Sequence, residues 1–85
     1  MRDLQEIHQY IAKENAVGAD AFVHKLLTEA YSLHQLPLRG PLIKEKRGAR
    51  LLVYQAYLIV YRASPSSSHV RILRFWHAAR ERIRL

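Results

Sequence analysis

The stretch RLLVYQAYLIVYRA, residues 50–63, decides the fold of this 85-residue chain. It is rich in leucine, valine, isoleucine and tyrosine, whose side chains suit a pleated sheet. We therefore predict two strands, Arg50–Tyr54 and Tyr57–Ala63. Gln55 and Ala56 separate them and supply neither the glycine nor the asparagine that tight two-residue turns favour, so we expect a wider or bulged connection.

A third strand is predicted further along the chain. The run SPSSS, residues 64–68, is a strong turn signal, and Val70–Trp76 after it is again apolar and β-branched. The tail Ala78–Leu85 alternates cations with small or apolar residues, which fits either a short helical turn or a frayed end. Connections this short favour antiparallel pairing of the three strands.

Two amphipathic helices are predicted before the sheet. Leu4, Ile7 and Ile11 recur at helical spacing, and we expect the first helix to end near Asn15, a residue able to close a helix in the left-handed conformation. The second helix must stop before Pro37. Its apolar stripe consists of Phe22, Val23, Leu26, Leu27, Ala30 and Leu33. A charged and mobile loop is expected over Pro37–Gly48.

This order of elements predicts an α+β fold, with an N-terminal helix hairpin packed on a three-stranded antiparallel sheet. The length fits one domain, residues 1–85. The chain has no cysteine, which excludes disulfides and thiolate metal sites. Its apolar stretches are strand-sized, and its first residues carry no signal-peptide core. We expect a soluble cytoplasmic protein that does not associate with membranes.

Charge is distributed unevenly between the two halves of the chain. Residues 1–45 carry a net charge of −1 and residues 46–85 carry +8, which together give the overall +7. Eight of the nine cations in the second half are arginine, whose planar guanidinium suits phosphate and carboxylate groups. A positive half of this kind favours a nucleic acid or an acidic protein segment as partner, and the alternative is a solvated basic surface.

Several segments resemble the RelE/ParE superfamily of toxins. The opening helix carries DLxxIxxYIA, residues 3–12, and the second helix leads into LPxxG, residues 36–40. Arg50 then begins a strand, and the next strand carries YLIVYR, residues 57–62. The closing segment VRILRFWHAAR, residues 70–80, is similar to the last strand of the family and its His-x-x-Arg end. The ordered set covers essentially the whole chain.

The resemblance implies a toxin that is neutralised by a cognate antitoxin, as in plasmid-stabilisation systems. ParE-like members bind DNA gyrase, whereas RelE-like members cleave messenger RNA on the ribosome. The His-x-x-Arg end is closer to ParE, so we favour a gyrase inhibitor. An RNA- and ribosome-directed endonuclease and an inactive truncated relative are the alternatives.

Family members usually begin with a strand, whereas here Met1 almost adjoins the first predicted helix. Either translation starts upstream or the sheet lacks that first strand. In the second case an open sheet edge would favour a homo-oligomer.

If the chain is a ribonuclease, the resemblance implies Arg50, Arg74, His77 and Arg80 as catalytic candidates, acting by acid–base chemistry and charge stabilisation at phosphate. Three differences disfavour this activity. Leu58 follows Tyr57 where RNA-cutting relatives often have arginine, residues 51–53 are apolar, and the chain ends in leucine instead of tyrosine. We therefore expect no enzymatic activity of the chain's own.

The residues predicted to bind partners are Arg50, Tyr57, Tyr61, Arg62, Arg71, Arg74, His77 and Arg80. Structural roles are the alternatives: the two tyrosines as core residues with hydroxyls at the rim, His77 as a hydrogen-bonding residue at a strand end, and Arg50 as the partner of a helix carboxylate. Trp76 is expected in the core. No nucleotide-binding motif or spacing of metal ligands is present in the sequence, so we expect no cofactor and no metal. An antitoxin segment, helix or strand, would place acidic residues against Arg71, Arg74 or Arg80.

Overall fold

A computed structural model describes residues 2–44, 46–64 and 69–78. Helix α1 spans Arg2–Ala12 and helix α2 spans Ala16–Tyr31, which continues into a 3₁₀ turn over Ser32–His34. The strands are β1 Ala49–Tyr54, β2 Tyr57–Ser64 and β3 His69–His77. The predicted α+β fold, a helix hairpin on a three-stranded antiparallel sheet, is confirmed.

The helix hairpin turns at Asn15, but this residue does not act as expected. Helix α1 ends at Ala12, and Asn15 has φ −153° rather than a left-handed conformation. Its side-chain oxygen accepts a hydrogen bond from the Gly18 amide at 2.9 Å, so Asn15 caps the start of α2. A short contact of 2.6 Å between His8 Nε2 and Asp20 Oδ1 also joins the two helices.

The sheet has the strand order β1-β2-β3, with every neighbouring pair antiparallel. Tyr54 pairs directly with Tyr57, so Gln55 and Ala56 alone form the turn. The expected wider or bulged connection is therefore wrong. Gln55 adopts the positive φ of 54° that such a turn needs, although it is not a glycine. The irregularity lies instead between β2 and β3, where Leu73 has no partner in the register.

Because side chains alternate along a strand, the sheet has two distinct faces. The inner face packs on the helices and contributes Leu52, Tyr54, Tyr57, Ile59, Tyr61, Val70, Ile72 and Phe75 to the core. From the helices, Ile7, Leu26 and the Leu33 of the 3₁₀ turn meet these residues. The outer face, on the opposite side, carries Leu51, Val53, Leu58, Arg62, Arg71, Arg74 and Trp76.

The loop after the helices covers the free edge of β1. The Leu51 amide donates to the Pro41 carbonyl, and the Ile43 amide donates to the Ala49 carbonyl, both at 3.0 Å. Gly40 is buried at this crossing, and its amide donates to the Tyr61 hydroxyl at 2.9 Å. A loop residue thus joins the central strand of the sheet.

The helices of the described ranges are too short or too polar to cross a membrane. Within those same ranges, no cluster of three or more histidine, cysteine or acidic residues could hold a metal ion. Residues 65–68, where the sequence predicts a turn, and residues 79–85, which include Arg80, lie outside the described residues.

Candidate partner-binding surface

Two arginines face each other across the outer face of the sheet. Arg62 on β2 is the direct register partner of Arg71 on β3, and both side chains are exposed. Like charges placed directly opposite destabilise a sheet. Arg62 is held by one hydrogen bond of 3.3 Å from its Nε to the Arg47 carbonyl. Arg71 has no ion pair with any described residue, so an anionic partner would find an unneutralised charge here.

Arg74 lies on the same face and is already engaged. Its Nε donates to Asp3 Oδ2 at 2.7 Å, and its guanidinium carbon lies 4.8 Å from the centre of the Trp76 ring. Trp76 therefore stands on the outer face, and the expectation that it belongs to the core is wrong. The Asp3 side chain is 14% exposed, and the second bond to the same oxygen comes from the Phe75 amide at 3.1 Å.

Arg50 is directed into the covering loop. Its Nη1 donates to the Gly40 carbonyl at 2.8 Å and makes a longer contact of 3.4 Å with the Leu38 carbonyl. The alternative role for Arg50, pairing with a helix carboxylate, is wrong, because its partners in the described part of the chain are backbone carbonyls. These bonds hold the loop against β1 and leave less of the guanidinium available to a ligand.

Tyr57, Tyr61 and His77 belong to the inner face. Both tyrosines are almost fully buried, and the Tyr61 hydroxyl is occupied by the Gly40 amide instead of lying at the rim. His77 packs edge-on against Tyr57, with ring centres 4.7 Å apart, and lies 6.0 Å from Tyr10. Tyr57 and His77 thus take part in the aromatic packing between sheet and helices, and Tyr61 is fully buried, so no partner can reach the Tyr61 side chain.

The candidates for ribonuclease chemistry are dispersed over the sheet. Arg50 lies opposite Tyr61, and His77 lies opposite Tyr57, four residues away along β2. Four strand residues span about 13 Å, too far for both groups to act on one phosphate. Arg74 projects from the other face. These three side chains form no common site, and Arg80 lies beyond the described ranges.

An apolar groove runs beside β3, a feature that the sequence analysis did not predict. It encloses about 660 Å³. Its walls are Leu4 from α1, Leu27, Ala30, Tyr31 and His34 from the α2 end, and His69, Val70, Ile72 and Phe75 from β3. Leu27 and Tyr31 are exposed by 45% and 75%. In the sequence, Tyr31 follows Leu27 by four residues and so lies on the same helix face, which is a signal that could have indicated this groove.

Comparison with known proteins agrees with this architecture. The family model described as "ParE toxin of type II toxin-antitoxin system, parDE" matches residues 1–82. No curated protein matches the chain significantly.

Proposed function

Because this chain belongs to the ParE toxin family of type II toxin–antitoxin systems, we propose that it inhibits DNA gyrase by binding it and is neutralised by a cognate antitoxin. The family itself implies the toxin role and the antitoxin partner. Beyond the family assignment, we propose that the target is DNA gyrase and that the toxin acts by binding it, without catalysing a reaction. Such a toxin would serve plasmid stabilisation.

The dispersion of Arg50, Arg74 and His77 supports binding over catalysis. General acid–base catalysis needs side chains that converge within hydrogen-bond reach of the reacting atoms. Here two candidates are held by internal partners, a loop carbonyl and Asp3, and the third packs against tyrosine rings. These residues stabilise the fold, which leaves the outer face with Arg62 and Arg71 as the surface for an anionic target.

The deciding experiment compares two activities of the purified chain. Supercoiling of relaxed plasmid by gyrase is measured beside cleavage of ribosome-bound messages, in each case with and without the co-expressed cognate antitoxin. We expect inhibited supercoiling, intact messages and full relief by the antitoxin. Arg71→Glu should weaken the inhibition, whereas Lys25→Glu makes the same charge change on an exposed position of α2 and should not.

The other outcomes lead to different conclusions. Cleaved messages, with cleavage lost in His77→Ala or Arg50→Ala, would establish a RelE-type endonuclease and overturn the proposal. The absence of both effects would identify an inactive relative. Unfolding of each variant is followed by far-ultraviolet circular dichroism, so that a misfolded variant is not counted as a loss of target binding.

A further inference from the structure

The outer face of the sheet changes from cationic to apolar along its length. Because directly paired residues of neighbouring strands point to the same side, the register divides this face into rows that run across the strands. The arginine row contains Arg62 and Arg71, both exposed. The apolar row, next to the turn between β1 and β2, contains Val53, Leu58 and Trp76. The Val53 side chain is 61% exposed, so a ligand on this face would meet charge at one end and apolar surface at the other.

The row between these two provides little for a ligand to contact. Val60 at its centre has no exposed surface, although it lies on the outer face. Its register partners are Leu51 and Arg74. The Arg74 guanidinium already contacts Asp3 and the ring of Trp76. The arginine row and the apolar row are four residues apart along β2, about 13 Å, so the face has two points of contact at a defined separation.

A nucleic acid strand fits this face poorly. Proteins that bind a single strand provide a groove of cations that follows the phosphates. Here Arg62 and Arg71 lie side by side across the strands instead of following one another. Arg74, the next cation along β3, is paired with Asp3, and the row beyond it is apolar. A protein segment with one carboxylate and several apolar side chains matches the face better.

A second copy of the chain lacks the complementary charge. The residues of β1, β2 and β3 include no aspartate or glutamate. Two outer faces brought together would therefore place arginines against arginines or against apolar side chains, on chains that each carry a net charge of +7. Charge complementarity favours a different protein, one that contributes the carboxylate.

Backbone hydrogen bonding favours a helix as the bound segment. Strands pair through their edges, so the face of a sheet makes no backbone hydrogen bonds to a segment that lies on it. An extended segment buried there would leave its own amides and carbonyls unpaired, whereas a helix satisfies them internally. Residues seven and eleven positions apart on one helix face are separated by about 10 and 16 Å along the axis. These two distances bracket the separation of about 13 Å between the arginine row and the apolar row.

We propose that the outer face of the sheet binds an amphipathic helix of the target protein. A carboxylate of that helix lies between Arg62 and Arg71, and its apolar side chains seven and eleven residues away pack on the apolar row. The carboxylate offsets the repulsion between the two arginines, and burial of the apolar row adds affinity. The inference rests on the proposed function in that the helix is taken to belong to gyrase.

The first test uses the full chain and a synthetic helical peptide of alanine and glutamine, about 20 residues long so that it forms a helix in water. The peptide carries one glutamate, with leucine seven and eleven positions away. Titration calorimetry measures its affinity, and amide chemical shifts locate the contact on the outer face. Replacing the glutamate by lysine should weaken binding at least about tenfold. Moving the glutamate by two positions, onto the opposite side of the helix at unchanged composition, should do the same.

Matched variants of the chain test the two rows separately. Arg71→Glu should weaken the glutamate peptide about tenfold and favour the lysine peptide, whereas Lys25→Glu, at an exposed position of α2, should do neither. Val53→Ser should weaken both peptides about tenfold. Val17→Ser, the same change at an exposed position of α2, should weaken neither.

Purified gyrase provides a second test. A benzophenone side chain in place of Val53 should cross-link gyrase on irradiation, and the same group in place of Val17 should not. The cross-linked segment should carry an acidic residue seven or eleven positions from an apolar one. A segment without this spacing would overturn the inference.

The peptide experiments can contradict the inference independently of gyrase. Equal affinity for the original and the rearranged peptide would overturn it, as would shifts confined to the helices or tighter binding of a single-stranded oligonucleotide. Peptide binding at the outer face without inhibited supercoiling would retain the surface and reject gyrase as the target. Inhibited supercoiling with cross-links at position 17 and none at position 53 would reject this surface alone.

Discussion

At Gly40 the covering loop lies so close to β1 that no side chain fits. A Cβ atom there would stand 2.4 Å from the Leu51 carbonyl oxygen and 3.0 Å from the Tyr61 hydroxyl. The first neighbour is backbone and cannot move aside without disturbing the sheet. Gly40→Ala should therefore lower the free energy of unfolding by about 1–3 kcal/mol, measured by urea denaturation.

Gly48→Ala is the control for Gly40→Ala, because a Cβ at Gly48 meets no atom within 4 Å. Its positive φ of 74° alone should lower stability by roughly 1–2 kcal/mol. A Gly40→Ala protein as stable as the wild type would contradict the close approach in the structure.

The Tyr61 hydroxyl offers a second test at the scale of one residue. It accepts the buried Gly40 amide, so Tyr61→Phe leaves that amide without its partner. We expect a loss of about 1–3 kcal/mol in the free energy of unfolding. Tyr31→Phe removes a hydroxyl from a side chain that is 75% exposed and should leave the urea midpoint unchanged. Equal effects of the two substitutions would contradict the assignment.

These individual contacts could not be predicted from the sequence. The LPxxG pattern and Arg50 were both recognised, but their contact joins residues that lie 10 positions apart. Nothing local indicates that the Arg50 guanidinium meets the Gly40 carbonyl instead of a carboxylate. Spacing identifies the types of side chain that matter, whereas their partners depend on how the loop crosses β1.

At the scale of elements, Asp3 connects the start of α1 to the edge of β3. Its carboxylate is mostly buried and accepts hydrogen bonds from Arg74 and from the Phe75 amide. Asp3→Ala should destabilise the fold by about 1.5–3 kcal/mol, because hydrogen bonds to a charged group are lost. Thermal unfolding followed by circular dichroism measures this effect.

The matched control for Asp3→Ala is Asp20→Ala. Asp20 also forms a pair between elements, with His8, but its side chain is 81% exposed. Solvent screening should limit its effect to at most about 1 kcal/mol. If Asp20→Ala were the more damaging substitution, Asp3 would not be the residue that holds α1 against the sheet.

The elements themselves were largely predictable, because local periodicity determines them. Leu26, Ala30 and Leu33 of the predicted stripe are buried as expected, whereas Leu27 of the same stripe is 45% exposed. The three strands begin and end within one residue of their predicted bounds. The connections were less predictable. Gln55 adopts positive φ because the paired strands on both sides require a tight turn. The bulge at Leu73 has no local signal such as a glycine beside it in the sequence.

At the scale of the whole molecule, the uneven distribution of charge along the chain becomes a difference in charge between the helices and the outer face of the sheet. The helices carry most of the acidic residues, and β2 and β3 place Arg62 and Arg71 side by side on the outer face. The sequence predicted a basic half, but not that two of its arginines would be direct register partners. Under the proposed function, in which this pair binds an anionic partner, function and stability are opposed at these two residues.

The substitution Arg71→Thr should therefore raise the free energy of unfolding of the free chain while weakening the proposed inhibition of gyrase. Removing one of two opposed like charges is expected to raise the free energy of unfolding by about 0.2–1 kcal/mol, and threonine suits a strand. Urea denaturation at low and high sodium chloride measures it. Salt should stabilise the wild type more than the variant, because it screens the repulsion that the variant lacks.

The control is Arg62→Thr, whose free energy of unfolding should rise by less, because this variant also loses the hydrogen bond to the Arg47 carbonyl. A variant at Arg71 that is less stable than the wild type at low salt would show that Arg62 and Arg71 do not repel each other, and the case for an anionic partner on this face would lose its basis.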